Sequence, residues 1–201
     1  MEHFEKDSAL VQFVASCGVT RSQEIELAGF SRVSIARHVK RGQLQRLARG
    51  IYAVPGYLFT EWHDLVEVTK TIPSAVIALI SALAFHEIGT QLPYETWIAL
   101  PEKGHEPKSH LKLRTTRFTE PYYSAGVENH EIEGLNIHVY SAAKTVADCF
   151  KMRGKVGYDV AIEALREGWR LRKFTLDELS GFAKLNRVDS VMRPYIEAII
   201  E

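Results

Sequence analysis

The sequence predicts an α+β protein in two parts: a helical head closed by a β-hairpin, then a larger domain with a small sheet and several helices. Three observations carry this. Apolar residues recur at helical spacing in three short segments before residue 42, each bounded by capping or glycine signals. Residues 44–54 then read as two short strands about Ala48-Arg49-Gly50. Beyond residue 59, short apolar runs precede amphipathic helices, an order typical of α+β domains.

The elements follow in order. Ser8 to Cys17 carries Ala9, Leu10, Phe13, Val14 and Cys17 on one helical face, with Asp7 or Ser8 as N-cap and Gly18 as the stop. Thr20 is the expected cap of a second helix running to Ala28, with Gln23 in the capping-box position and Gly29 closing it. Ser31 caps a third helix that ends at Arg41-Gly42, and Phe30 is placed to staple onto Ile35. Leu44–Leu47 and Ile51–Val54 form the hairpin, with Gly50 as the positive-φ residue of the tip. Helix-turn-helix followed by a hairpin is a winged helix-turn-helix, and the third helix is its recognition helix.

Charge supports that reading. The 201 residues have a formal net charge of zero, but the charged residues from Ser31 to Gly50 are Arg32, Arg37, Lys40, Arg41, Arg46 and Arg49, with no acid among them. A one-sign cluster in a neutral chain points to a polyanionic partner. On the helix wheel Ile35 and Val39 face inward. Ser34, Arg37 and Arg41 face outward, with Val33 and Lys40 near their edge. Arg37 and Ser34 are the expected base readers, with Arg41 beside them, while Arg32, Lys40 and Arg46 suit phosphates. Arg49, at the wing tip, suits an A·T-rich minor groove. A single winged helix has a small footprint, so two copies reading two half-sites are expected.

Past the head, Glu61–Thr71, Ser74–Ile88, Val156–Trp169, Thr175–Lys184 and Asp189–Ile200 read as helices, as does a segment capped by Ser141. Residues 96–100, 111–118, Val127–Glu133 and Leu135–Tyr140 read as strands, the last two around Gly134. The domains are therefore 1–58 and 59–201.

Hydrophobic residues make up 46% and charged residues 25%, which excludes a disordered chain, and the longest apolar stretch, Ala75–Phe85, is too short to cross a bilayer. The first residues, MEHFEKDSAL, lack the layout of a secretory signal, so a cytoplasmic protein is expected. Cys17 and Cys149 have no CxxC partner and read as buried thiols.

Chemistry is sparse. Phe85-His86-Glu87-Ile88 begins like HExxH, but Thr90 stands where the second histidine belongs. His63, His105, His110, His130 and His138 show no metal spacing, so neither metal nor cofactor is expected. Ser141 and Lys144 match SxxK, yet Ser141 also sits at a helix N-cap. Lys151, Arg153, Lys155, Arg166, Arg170, Arg172 and Lys173 are interleaved with Asp159, Glu163 and Glu167. Mixed signs read as a solvated face, the alternative being a nucleic-acid or partner surface. No residue argues for an enzyme.

The segments Gly18-Val19-Thr20, Ala28-Gly29-Phe30-Ser31 and Val39–Leu44, and above all RGQLQRLARGIYAVP, resemble the N-terminal domain of AbiEi-type antitoxins. The resemblance continues more loosely through Ala75–Gly89 and Ser141–Phe150. It implies an antitoxin and autorepressor of a type IV toxin–antitoxin or abortive-infection system. The winged helix would bind inverted repeats in its own promoter and repress the operon. The C-terminal domain would neutralise a nucleotidyltransferase-like toxin, with or without direct contact. The competing classes are a protein-interaction scaffold whose head contacts no DNA, a regulator without a toxin partner, and an enzyme acting on the toxin or on RNA.

Overall fold

The computed structural model describes residues 2–56, 61–103 and 111–200. His105 and His110 lie outside them. In chain order the elements are α1 (Glu2–Cys17), β1 (Thr20–Arg21), α2 (Ser22–Leu27), α3 (Arg32–Lys40), β2 (Gln45–Ala48), β3 (Ile51–Ala53), α4 (His63–Thr71), β4 (Val76–Ile77), α5 (Leu79–Phe85), β5 (Thr96–Pro101), β6 (Leu113–Phe118), β7 (Val127–Ile132), β8 (Leu135–Tyr140), α6 (Ala142–Lys151), α7 (Arg153–Val156), α8 (Tyr158–Arg170), α9 (Leu176–Leu185) and α10 (Asp189–Ile200). The fold is α+β, and the chain divides into two compact units: Met1–Pro73 with Glu131–Asn136, and Ser74–His130 with Ile137–Glu201.

In the first unit, α1, α2 and α3 enclose Leu10, Val14, Ile25, Ile35 and Leu44. Phe13 and Phe30 meet over this cluster with ring centroids 5.9 Å apart. The helix α1 begins at Glu2, so Asp7 and Ser8 lie inside it rather than capping it. Thr20 is not a helix cap either. It is buried in β1, its hydroxyl donates to Gly18 O at 3.2 Å, and the cap of α2 moves on to Arg21. Glu24, not Gln23, then closes the box, its carboxylate accepting from the Arg21 N–H at 2.7 Å. β1 adds to the hairpin as a third strand, giving the antiparallel order β1-β3-β2. Val19, Ile51 and Val66 form a second small cluster, against which Ile132 and Leu135 pack.

The second unit is built on a mixed sheet of order β6-β5-β4-β8-β7. β5 runs antiparallel to β4 and parallel to β6, and β4 runs parallel to β8. Ser74–Ile88 is thus not one helix. Val76 and Ile77 enter the sheet, and the chain swings into α5 at Leu79, whose φ is +48°. β-branched residues in a short apolar run fit a buried strand as well as a buried helix, and the open slot between β5 and β8 decides. Val156–Trp169 is likewise interrupted, α7 and α8 meeting at Gly157 with φ +102°. The hairpin of β7 and β8 turns at Glu133-Gly134, and Thr175 caps α9 with Glu178 completing the box. The core of this unit joins Trp97, Ala99, Phe118 and Tyr140 of the sheet to Leu83, Val146, Phe150 and Leu165 of the helices.

Candidate nucleic-acid interface

The recognition helix α3 is positioned from its first turn. Ser31 Oγ accepts from the Ser34 N–H at 3.2 Å. The turn before it is fixed by Gly29 N–H to Glu26 O and Phe30 N–H to Ile25 O, at 3.0 and 3.1 Å. Its inward face is set by two residues, Ile35 and His38, both buried. His38 Nδ1 lies 2.7 Å from Ser34 O and therefore donates to it. The His38 carbonyl accepts from Gln43 and Leu44 N–H, which ties the helix to the wing.

His38 rotates the face relative to the sequence expectation. At about 100° per residue, the direction opposite Ile35 and His38 passes within about 10° of Val33 and Lys40. Arg37 and Ala36 flank that line, and Arg41 and Arg32 lie further round. Ser34 sits on the shoulder and, like Arg37, is half-buried. Val33, read as an edge residue, is 77% exposed at the centre of the outward face. An imidazole on an apolar-spaced helix gave no sequence signal of burial, because its acceptor is a backbone carbonyl one turn back.

Arg32 Nε meets Glu26 Oε1 at 2.7 Å, and this carboxylate holds the guanidinium pKa above its ordinary value. The acid-free run of the sequence is thus answered in space by an acid just outside it. Lys40, Arg41, Arg46 and Arg49 are exposed.

The wing is tied back at its tip. Gly50, φ +78°, gives its carbonyl to the Ser22 N–H at 2.8 Å, and a Cβ there would come within 3.2 Å of Ser22 Oγ. The register of β2 slips between Arg46 and Ala48, and Arg46 Nε donates to Ala48 O at 3.1 Å. This bulge curls the wing and leaves Arg49 at its apex. A cavity of about 260 Å³ beside it is lined by Arg21, Ser22, Gln23, Arg49 and Lys70, among others. Two of those cations serve the fold. Arg21 donates to the Thr69 and Lys70 carbonyls at the C-terminus of α4, where a positive charge complements the helix dipole. Lys70 pairs with Glu24 at 2.7 Å.

Most of the remaining motifs lie in the second unit. Ser141 Oγ accepts from the Lys144 N–H at 3.3 Å as the cap of α6. Lys144 is fully buried, 2.5 Å from both oxygens of Asp148, so SxxK here is a cap followed by an ion pair. His86 Nε2 donates to Tyr140 O at 2.7 Å, and burial lowers its pKa. His63 contacts Glu133, His130 contacts Glu128, and His138 contacts Asn129. Among the described residues no group of three or more His, Cys, Asp or Glu could hold a metal ion. Cys149 is buried and its thiol pKa is pushed up by burial, whereas Cys17 is only half-buried at the end of α1. Of the second basic group, Arg170 pairs with Glu167 and Lys173 with Glu87. Arg153 donates to Phe150 O, and Lys151 lies over the Tyr122 ring. Among the described residues no helix is long and apolar enough to cross a membrane.

Comparison with known proteins adds three findings. No functionally curated protein matches the sequence. The crystal structure of the RV2827C protein from Mycobacterium tuberculosis shares the fold at a TM-score of 0.62, with 12% identity, over 89% of this chain and 69% of that one. Residues 9–55, from the middle of α1 to the end of the wing, match the family described as transcriptional regulator, AbiEi antitoxin, and it is this head that carries the family's signature.

Proposed function

We propose that the protein is an antitoxin-type autoregulator whose head, residues 1–58, binds duplex DNA. The observation that supports it most is the coincidence of three things in one segment: the family match over residues 9–55, the exposed cations of α3 and the wing, and the three-stranded β1-β3-β2 wing that aims Arg49 away from the core. In this reading α3 enters the major groove. Arg37 reaches base edges, with Ser34 and Arg41 at the sides of the contact, and Lys40 and Arg46 hold phosphates. Arg32, shared with Glu26, adds a weaker phosphate contact. Arg49 enters the adjacent minor groove. Two copies read inverted repeats in the protein's own promoter and repress its operon. Residues 59–201 neutralise a nucleotidyltransferase-like toxin, and the protein acts in the cytoplasm.

The test is operator affinity of Arg37→Ala combined with Arg49→Ala. Loss of a base-reading Arg should cost about 1–3 kcal/mol and relax specificity at its position. Unchanged affinity of the double variant would remove this interface. The scaffold reading has one observation of its own, the exposed Leu27 and Val33 of α2 and α3, and it predicts no salt-sensitive DNA binding at all.

A further inference from the structure

We propose that Val33 reads the C5-methyl group of a thymine, so that each half-site of the DNA carries a thymine at the position facing the first turn of α3. The inference rests on the reading of the head as a duplex-DNA binder and deepens it by one base.

Val33 is 77% exposed, and it lies on the outward axis defined by the buried Ile35 and His38. It is in the first turn of α3, whose start is fixed by the Ser31 cap. The N-terminal turns of a recognition helix are the part that meets base edges. An exposed β-branched side chain at that place has one apolar partner in the major groove, the thymine methyl. Cytosine offers only a small C5–H beside its N4 donor, and guanine and adenine present polar edges, so no other base carries a methyl group there. The surroundings choose the occupant. Val33 is flanked by Ala36 and Arg37 and shares its line with Lys40, seven residues and about two turns on. A protein partner with an apolar knob would have to bury those cations, whereas DNA supplies both a methyl group and the phosphates that answer them. Val33 carries no hydrogen-bonding side-chain atom, so it adds discrimination by apolar burial alone, next to the polar readout of Arg37.

The experiment uses the full chain and the DNA upstream of its own reading frame. Footprinting defines the protected half-sites, and each protected thymine is then replaced in turn by deoxyuridine, which lacks only the C5-methyl. Burial of one methyl group predicts about fourfold weaker binding at one position per half-site. When both half-sites are changed the loss multiplies to roughly fifteenfold. The loss should vanish in Val33→Ser, which already lacks the methyl groups, and should persist in Val33→Thr, which keeps one. Exposure of Val33 keeps all these variants folded. If no deoxyuridine substitution weakens the wild-type protein, or if Val33→Ser shows the same loss, the thymine contact is wrong while the DNA-binding head stands. If the protein fails to prefer its upstream DNA over an unrelated duplex, the reading of the head falls, and this inference with it.

Discussion

Replacing Lys144 with methionine isolates the charge at the centre of the second unit. The two side chains have similar length and volume, so the substitution leaves little cavity and removes mainly the ammonium. In the wild type that ammonium lies 2.5 Å from both Asp148 oxygens and within 4.4 Å and 4.9 Å of the Tyr140 and Phe118 ring centroids. Burial pushes Lys144 down and Asp148 up, and each offsets the other's penalty. Without Lys144, the fully buried Asp148 keeps among the described residues the hydrogen bond from Asn186 Nδ2 at 2.7 Å. Breaking a buried pair from one side costs about 3–5 kcal/mol. With a urea m-value of about 2 kcal/mol/M, that is a fall of roughly 1.5–2.5 M in the midpoint. Trp97 and Trp169 lie in this unit and report its unfolding by fluorescence. The double variant Lys144→Met with Asp148→Leu should recover to within about 1–2 kcal/mol of wild type, because an apolar pair of similar size needs no solvation. A loss below about 1 kcal/mol in Lys144→Met alone, or a double variant no better than the single, would refute the account of this pair.

Three further outcomes follow from the geometry. Ser141→Ala should cost about 1 kcal/mol of stability, the worth of an N-cap, and leave the proposed toxin neutralisation intact in a co-expression growth assay. Full loss of neutralisation at wild-type stability would revive a nucleophilic role for this serine. Gly126→Ala should lose roughly 2–4 kcal/mol, because φ is +71° and the added Cβ would stand 2.8 Å from Phe182 Cζ and 2.9 Å from Lys144 Cβ; calorimetry decides it. His86 has a lowered pKa in the folded protein, so its contribution is present above the unfolded pKa near 6.5 and is lost as pH falls through the folded value. Wild-type thermal stability should therefore drop below about pH 6.5, and His86→Gln, which can still donate to Tyr140 O, should flatten that drop.

Local signals in the sequence were enough where a structure is held by neighbours in sequence. Ser31 caps α3, Gly50 closes the wing tip and Ser141 caps α6, all set by spacing of a few residues. Elements that exist only through distant partners were not legible. β1 is two residues long and is a strand because Thr20 and Arg21 pair with Tyr52 and Ile51. β4 is also two residues, and its run of apolar neighbours matched a helix until β5 and β8 are in place. Within the candidate interface, the positive cluster could be read directly. Its facing could not, since the burial of His38 depends on a carbonyl and on the wing beyond it. Nor could the Glu26 bond to Arg32, formed across the turn between α2 and α3. The same limit applies to Lys144, an ordinary surface residue by composition that becomes the largest fully buried cation of the second unit.

The central claim is that the head binds its own upstream DNA through phosphates and bases together. The most direct measurement is a binding titration of the full chain against that DNA at several salt concentrations, with an unrelated duplex as control. Lys40, Arg41, Arg46 and Arg49 are exposed on this surface. Two or three phosphate contacts per bound copy, Lys40 and Arg46 with Arg32 the weaker, predict a slope of log affinity against log salt of about −2 to −3 per copy. The account predicts that slope together with clear preference for the upstream sequence. Weak binding, a flat salt response, or equal affinity for the unrelated duplex would contradict it.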